Sequence, residues 1–248
     1  MRTSTRIILG VILFGLPEVS PAAAEWYVSG YAGASIPTDQ DADVNASAGG
    51  IVLLNGTFKD VDPNTSVVFG GKVGHFLESL PFLGLEVEGY HFSPGADSQT
   101  VQASGTILPG IFPIPVAGQV TLGDVDVGVT GIGLNAVFRL QLGESDAFPK
   151  GRFQPYAGAG LGIFIANLET TVVTAKDDDT DTAVGPQALA GLKFFITEHL
   201  SLFGEYKFIH APNFEFELSD TVVGTPVNLK LETDITSHLF YGGIAYHS

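Results

Sequence analysis

The amino-acid sequence predicts an all-β fold, an antiparallel eight-stranded transmembrane β-barrel with up-and-down connections. Three observations predict this fold. Segments in which apolar residues alternate with small or polar ones recur from residue 26 to residue 248. The connections between these segments alternate between long and short. Charged residues in the central segments fall on the face opposite the apolar one, as expected for a wall with lipid outside.

The first 24 residues predict a secretory signal peptide. Arg2 and Arg6 give a basic start, residues 7–16 form an apolar run, and Ala22–Ala24 supplies small residues before Glu25. The apolar run is too short to be a spanning helix. We therefore expect residues 1–24 to be a signal peptide and residues 25–248 to form a single barrel domain.

The composition favours a barrel with an apolar outer surface. Charged residues make up 15% of the chain, against about a quarter in typical soluble domains. The chain contains 31 glycines, 18 phenylalanines and no cysteine, which excludes disulfide bonds and thiolate metal sites. A net charge of −16 argues against nucleic acid as a partner, because phosphate contacts require clustered lysine and arginine.

The predicted strands are joined by short turns after the second, fourth and sixth, and by longer connections after the others. Outer-membrane barrels place short turns on the periplasmic side and long loops outside the cell. The pattern therefore predicts periplasmic N- and C-termini and an outer-membrane location of the Gram-negative type. The eight predicted strands cover residues 26–36, 66–77, 82–93, 124–142, 153–171, 183–196, 200–218 and 231–248.

The first and the last predicted strands share one composition of aromatic, β-branched and small residues. Residues 26–36 contain Trp26 and Tyr27, and residues 238–248 contain Phe240, Tyr241 and Tyr246. An all-β protein that spans a membrane must leave no strand edge open to lipid. We therefore expect these two strands to pair and to close the barrel.

The charged residues of the strands predict a network inside the lumen. Buried charges are too costly unless they are paired, and a barrel of about eight strands has just enough room for its own side chains. The sequence therefore predicts a salt-bridged and largely plugged lumen, with an ion path or a catalytic group as the alternative. The predicted network contains Lys72, Glu86, Glu88, Arg139, Lys193, Glu205 and Lys207.

The positions of the short turns predict which of these charges meet. Folding the second strand on the third, the third on the fourth and the sixth on the seventh brings inward side chains of neighbouring strands together. We expect Lys72 beside Glu86 and Glu88, Glu86 beside Arg139, and Lys193 beside Glu205 with Lys207 one inward position further along.

Five segments carry a resemblance to a known family: the signal peptide, Trp26–Gly33, Tyr156–Gly162, Glu205–Phe208 and the closing strand. In these segments the chain resembles the bacterial outer-membrane β-barrel domain family, the small OmpA-like and OmpX-like barrels. The resemblance covers the whole of residues 25–248 with diffuse motifs. It implies outer-membrane lipids, lipopolysaccharide and the barrel assembly machinery as partners, and we expect a monomer.

The closing strand is similar to the C-terminal assembly signal of that family. The signal has a polar or aromatic residue, a glycine and two aromatic residues at fixed spacing. Tyr241, Gly243 and Tyr246 match its first three positions, and Ser248 stands where the last aromatic is expected. We expect Tyr246 to face lipid near the periplasmic rim, and Tyr241 and Gly243 to face inward.

The sequence gives little support for an enzyme. Lipid A deacylase barrels carry a His-x-Ser-Asn motif near the outer end of a strand, but Pro212 replaces the serine after His210. His75, His91 and His238 occur singly, without the spacing of metal ligands. We expect no catalytic residue, no metal and no cofactor.

Two kinds of loop segment leave alternatives open. Residues 107–116 form an apolar, proline-rich tip that either docks an unidentified surface ligand or folds over the barrel mouth. The acidic runs Asp39–Asp43 and Asp177–Asp181 are either solvated loop tips or sites for divalent cations. The contact residues of the apolar tip are Ile111, Phe112 and Ile114.

These features predict a non-enzymatic outer-membrane barrel with a structural or surface-interaction role. Binding is expected at the external loops. The alternatives are a narrow porin-like channel for small solutes and, with less support, a lipid A-modifying enzyme.

Overall fold

The computed structural model describes residues 25–48, 51–107, 114–123, 125–172, 175–222 and 225–248. These residues include no helix long and apolar enough to cross a bilayer. The strands are β1 (Glu25–Pro37), β2 (Gln40–Ala48), β3 (Ile51–Val61), β4 (Ser66–Leu77), β5 (Leu80–Phe92), β6 (Gln99–Ile107), β7 (Ile114–Leu122), β8 (Val125–Arg139), β9 (Phe153–Val172), β10 (Ala175–Phe195), β11 (Leu200–Val222) and β12 (Thr225–His247).

Eight of these strands form a closed antiparallel ring. Their order is β1-β4-β5-β8-β9-β10-β11-β12, and β12 pairs with β1 to close it. The closing ladder runs from Tyr27 opposite His247 to Pro37 opposite Ser237. The predicted eight-stranded ring and its closure by the first and last strands are confirmed.

The other four strands extend the wall at one end of the ring. Because β1 ends at Pro37, the edge of β12 beyond Ser237 has no ring neighbour there, and β2 pairs with it from Val227 opposite Ala48 to Thr233 opposite Ala42. The sheet then continues through β3 and β6 to β7. We call this the hairpin end, and the opposite end, with the turns after β4, β8 and β10, the short-turn end.

The hairpin end departs from the predicted layout of long connections. The segment between the first two predicted strands forms the β2–β3 hairpin, and β10 begins at Ala175, within the predicted acidic connection. Residues 40–48 alternate small apolar residues with polar or acidic ones, residues 51–54 are apolar, and residues 176–182 are mostly acidic. Each of these segments pairs as a strand with a neighbouring edge. The segment around residues 99–122 forms the β6–β7 hairpin, in keeping with its alternating sequence.

The outward face of the ring is an apolar band. Aliphatic side chains in its middle are about half exposed, for example Leu85, Leu134 and Leu161. Aromatic side chains flank them on both sides, as in barrels that sit in a bilayer. Trp26, Phe82, Phe138, Phe194 and Tyr246 lie towards the short-turn end, and Phe69, Tyr206 and Phe240 lie towards the hairpin end.

The interior consists of two layers of different chemistry. The layer nearer the short-turn end contains the buried charged and amide side chains. The layer at the hairpin end is an apolar core. The core includes Val68, Phe92, Val129, Phe164, Leu168, Ile209, Phe214, Phe216, Ile235 and Leu239.

A β-bulge in β11 keeps the apolar layer continuous. The register with β12 shifts between Ala211 and Phe214, and Asn213 has a φ of 57°, a conformation that asparagine tolerates better than most residues. The bulge changes which positions point inward. As a result Phe214 and Phe216 are fully buried, and Glu215 is exposed.

Inward glycines make room for the rings that fill the lumen. A Cβ atom on Gly191 would lie 2.5 Å from the Cζ atom of Tyr156 and 2.7 Å from the main-chain oxygen of Gly204. The outward Gly204 has open space around its α-carbon. The lumen is therefore packed at glycine positions, while the outer wall is not.

Candidate functional site

The seven charged residues that the sequence places in the lumen are all buried there. They come from β4, β5, β8, β10 and β11, and each is 6% exposed or less. Each strand points these residues inward because they alternate with apolar residues that face outward. The structure thus brings side chains together from strands that are not neighbours in the ring.

Lys72 lies at the centre of the polar layer. Its ammonium group is 2.6 Å from Glu205 Oε2 and 2.7 Å from Glu205 Oε1, on the far side of the ring. It is also 3.3 Å from Glu86 Oε1 and 4.0 Å from Glu88 Oε2 on the adjacent strand. One lysine therefore ties β4 to β5 and, across the lumen, to β11.

Glu88 is the centre of a second set of contacts. Lys207 forms an ion pair with it, and the side-chain amides of Asn135 and Gln187 each donate to Glu88 Oε1 at 3.0 Å. Gln187 also donates to Asn135 Oδ1 at 2.6 Å. Neither amide is part of the network predicted from the sequence, although each alternates with outward apolar residues on a predicted strand.

Tyrosine hydroxyls complete the coordination of the carboxylates. Tyr27 donates to Glu86 Oε2 at 2.6 Å, and Tyr156 donates to Glu205 Oε2 at 2.8 Å. Tyr241 donates to Glu205 Oε1. Carboxylates that accept several hydrogen bonds and contact a cation need little solvation from water.

The expected pairing of Arg139 with Glu86 is wrong. Arg139 Nη2 lies 2.5 Å from Glu25 Oε2, and Arg139 Nε donates to the main-chain oxygen of Pro81 at 2.9 Å. In the β5–β8 register Glu86 lies opposite Asn135, so Arg139 is two inward positions nearer the short-turn end. Its guanidinium group packs 3.6 Å from the centre of the Phe76 ring.

The expected pairing of Lys193 with Glu205 is also replaced by another contact. Lys193 lies opposite Phe203 in the β10–β11 register, and Glu205 lies opposite Gly191. The Lys193 ammonium group is 4.3 Å from the centre of the Tyr27 ring. Because the Tyr27 hydroxyl donates to Glu86, the lysine is linked to a carboxylate through the aromatic ring.

The polar layer leaves little free volume. The buried charged side chains comprise four cations (Lys72, Arg139, Lys193 and Lys207) and four carboxylates (Glu25, Glu86, Glu88 and Glu205). The cavity beside Lys193 and Ser29 has a volume of about 10 Å³, and about 10–15 Å³ is needed to hold one water molecule. In this layer the buried cations and carboxylates are equal in number, and the cavity among them is about the size of one water molecule.

The family model for the outer membrane protein beta-barrel domain matches residues 7–246. The chain belongs to this family. Its members are barrels of the Gram-negative outer membrane, so the apolar band of this outer-membrane barrel faces lipid. No curated protein sequence matches the chain.

The outer-membrane barrel is similar to several solved structures. OprG from Pseudomonas aeruginosa is 12% identical with a TM-score of 0.48, and the match covers 91% of this chain and 96% of OprG. Neisserial surface protein A is 14% identical with a TM-score of 0.43, over 89% and 96%. Ail of Yersinia pestis is 12% identical with a TM-score of 0.36, over 91% and 99%.

The residues of the predicted assembly signal lie at the closing seam of the outer-membrane barrel. Tyr241 is buried and Tyr246 is 46% exposed on the outer wall. Gly243 lies opposite Tyr31, on the inward face. The main-chain N–H of Ser248 donates to Trp26 O at 3.0 Å, and Trp26 N donates to Ser248 Oγ at 3.1 Å.

The apolar tip of the second hairpin is described only in part. Ile111 and Phe112 lie outside the described residues, and Ile114 is 51% exposed at the start of β7. The contact function expected for this tip stays a prediction.

The acidic and histidine side chains at the hairpin end make local contacts. Asp179 and Asp181 accept hydrogen bonds from the main-chain N–H groups of Glu217 and Glu215 at 2.7 and 2.8 Å. His210 Nδ1 lies 2.8 Å from Thr236 Oγ1. Within the described ranges, no three histidine or acidic side chains are arranged to hold a metal ion.

Lys230 is the centre of an exposed charge cluster at the hairpin end. Its ammonium group lies 2.8 Å from Glu232 and 3.0 Å from Glu215. Hydrogen bonds to Glu232 and Glu215 raise the pKa of the Lys230 ammonium group. All three side chains are accessible to water, so this cluster contributes little to stability.

Proposed function

We propose that the protein is a non-enzymatic outer-membrane barrel whose lumen is closed and whose hairpin end is used for contacts at the cell surface. The observation that carries the proposal is the pair of stacked layers inside the ring. A solute would have to pass the ion-paired layer around Lys72 and Glu205 and then the apolar core around Phe164 and Phe216.

The energetics of the two layers support a closed lumen. Opening the polar layer separates buried ion pairs, which costs several kcal/mol per uncompensated charge. Opening the apolar layer exposes phenylalanine side chains to water at about 1.5–3 kcal/mol each. The interactions that a hydrated ion could make in the resulting narrow gap would not offset either of these free-energy costs.

The distribution of surface charge supports an orientation with the hairpin end outside and both chain ends in the periplasm. In the described part of the hairpin end, many carboxylates accompany only three lysines, Lys59, Lys176 and Lys230. A polar wall of this kind is readily solvated, so it fits a position in the water outside the membrane, beyond the lipopolysaccharide layer. The remaining proposed partners are outer-membrane lipid, lipopolysaccharide and the assembly machinery, with the barrel acting as a monomer.

Conductance across a planar bilayer tests the closed lumen. We expect no sustained single-channel steps from the folded protein. As a positive control, the Phe164→Ala/Phe216→Ala/Lys72→Ala/Glu205→Ala variant, folded under the same conditions, should pass current. Sustained steps from the unmodified protein would show that it is a channel and would overturn the proposal.

The non-enzymatic part of the proposal is tested on lipid A. Pro212, two residues after His210, cannot act as a nucleophile. Lipid A from cells with and without the protein should give the same mass spectrum. Loss of an acyl chain or gain of a group that depends on the protein would contradict this expectation.

A further inference from the structure

A serine, a histidine and a glutamate form a hydrogen-bonded chain at the short-turn end. Ser201 Oγ lies 3.0 Å from His247 Nε2, and His247 Nδ1 lies 2.7 Å from Glu25 Oε1. Arg139 continues the chain with its 2.5 Å contact to the other oxygen of Glu25. The order of groups is that of a nucleophile, a base and an orienting carboxylate.

The surroundings of this chain argue for a positioning role and against catalysis. Ser201 and His247 are fully buried and Glu25 is 4% exposed. The lumen cavity beside Lys193 is lined by neither Ser201 nor His247. The His247 ring packs 4.7 Å from the Phe195 ring and 5.5 Å from the Tyr27 ring. Because neither Ser201 nor His247 has exposed surface, a substrate cannot reach the pair from solvent.

The three side chains come from the strands on both sides of the closing seam. Glu25 begins β1, His247 ends β12, and Ser201 lies at the start of β11. His247 is also held through its main chain, because its N–H donates to His199 O at 2.7 Å. Strand ends open more readily than strand centres. The buried side-chain hydrogen bonds of His247, the last residue of β12, therefore stabilise the ladder where it opens most easily.

We infer that Glu25, His247 and Ser201 form a latch that holds the end of β12 between β1 and β11 and keeps the barrel closed at the short-turn end. The latch joins the β1–β12 seam to β8 through Arg139. It is independent of the lumen's permeability and of contacts at the hairpin end.

Amide hydrogen exchange in lipid nanodiscs tests the latch. In His247→Ala, the exchange rate of the β1–β12 ladder amides from the strand ends to the Gly30–Ile244 pair should rise about tenfold. This is the size expected for the loss of one buried hydrogen bond. The β9–β10 amides around Ile163 and Val184 should not change. Ser201→Ala, which removes one hydroxyl group, should show the same local pattern with a smaller rise.

His238→Ala is the matched control, because His238 lies on the same strand but faces outward and bonds Tyr206 at 2.9 Å. It should leave the closing seam unchanged. The chain has no cysteine, so a disulfide between Val28→Cys and Tyr246→Cys, which lie opposite each other, can be introduced into His247→Ala. Covalent closure should restore slow exchange.

Three results would overturn the latch. Exchange in His247→Ala and Ser201→Ala could stay slow, or rise equally in every ladder, or remain fast after the disulfide has formed.

A fluorophosphonate probe tests the catalytic alternative, because attack by Ser201 Oγ forms a phosphorus–oxygen bond, releases fluoride and passes the proton to His247. Covalent labelling that is lost in Ser201→Ala would assign a catalytic nucleophile; we expect none.

Discussion

Strand β11 places opposite kinds of side chain inside the barrel in its two halves. Near the short-turn end Glu205 and Lys207 of β11 point into the lumen, and Leu202 points outward to lipid. Near the hairpin end Phe214 and Phe216 of the same strand point inward, and Glu215 and Glu217 point outward. On β11 the residues before the bulge therefore suit a wall in lipid, and the residues after it suit a wall in water. The inward and outward chemistries of this strand change together at the bulge between Ala211 and Phe214.

The largest expected effect is in the polar half. Lys72→Met leaves Glu86, Glu88 and Glu205 without their shared cation, so the free energy of unfolding should fall by about 5 kcal/mol. Urea unfolding in detergent micelles measures it. Lys230→Met removes a lysine that has two exposed carboxylate partners and should cost much less, because water solvates the carboxylates that remain. Equal losses would show that the lumen charges are solvated.

The apolar half is tested by removing a core ring. Phe164 is fully buried, and Phe164→Ala should lower the free energy of unfolding by about 4 kcal/mol through lost burial and a cavity. Phe69→Ala is the matched control, because Phe69 is 55% exposed on the outer wall and lipid can fill the space. If both changes cost the same, the hairpin half does not contain a packed core.

A third change compares the outer surfaces of the two halves on one strand. Leu161 lies in the apolar band and Asn167 lies outward on β9 near the hairpin end. Leu161→Lys should cost about 3 kcal/mol because it places a charge in lipid. Asn167→Lys should leave the free energy of unfolding nearly unchanged. Refolding into liposomes followed by urea titration compares the two variants. A large loss of unfolding free energy in Asn167→Lys would show that position 167 also lies in lipid.

The smallest expected effect separates the inner wall from the outer wall. Gly191→Ala would push a methyl group against Tyr156 and the β11 main chain, and should cost about 2 kcal/mol by overpacking. Gly204→Ala points into open space and should be tolerated. The same unfolding titration measures both variants, and a tolerated Gly191→Ala would indicate a loosely filled lumen.

The sequence was sufficient to predict the ring, its closure and the inward charges, because lipid outside imposes a period of two on every spanning strand. The contact of Lys72 with Glu86 was predictable because a short turn joins their two strands and fixes the register between them. The pair Arg139 and Glu25 could not be predicted in this way, because Glu25 precedes the predicted first strand, residues 26–36, and meets Arg139 only across the lumen. The second predicted pairing, Lys193 with Glu205, failed because the β10–β11 register offsets the two residues.

The apolar core at the hairpin end was not predicted from the sequence. The bulge at Ala211 and Phe214 changes the inward positions of β11 from odd to even numbers, so a single alternation cannot describe the strand. The β2–β3 hairpin depends on pairing with the far end of β12, a long-range contact that local propensity does not contain.

Spin-label accessibility along β11 tests most directly whether the interior is closed over its whole length. The chain has no cysteine, so single labels can replace Leu202, Ile209, Glu215 and Phe216 in turn. We expect the label at 202 to be reached by oxygen from lipid, the label at 215 by a water-soluble nickel complex, and the labels at 209 and 216 by neither. Access of the nickel complex to positions 209 and 216 would show a water-filled lumen and contradict the account.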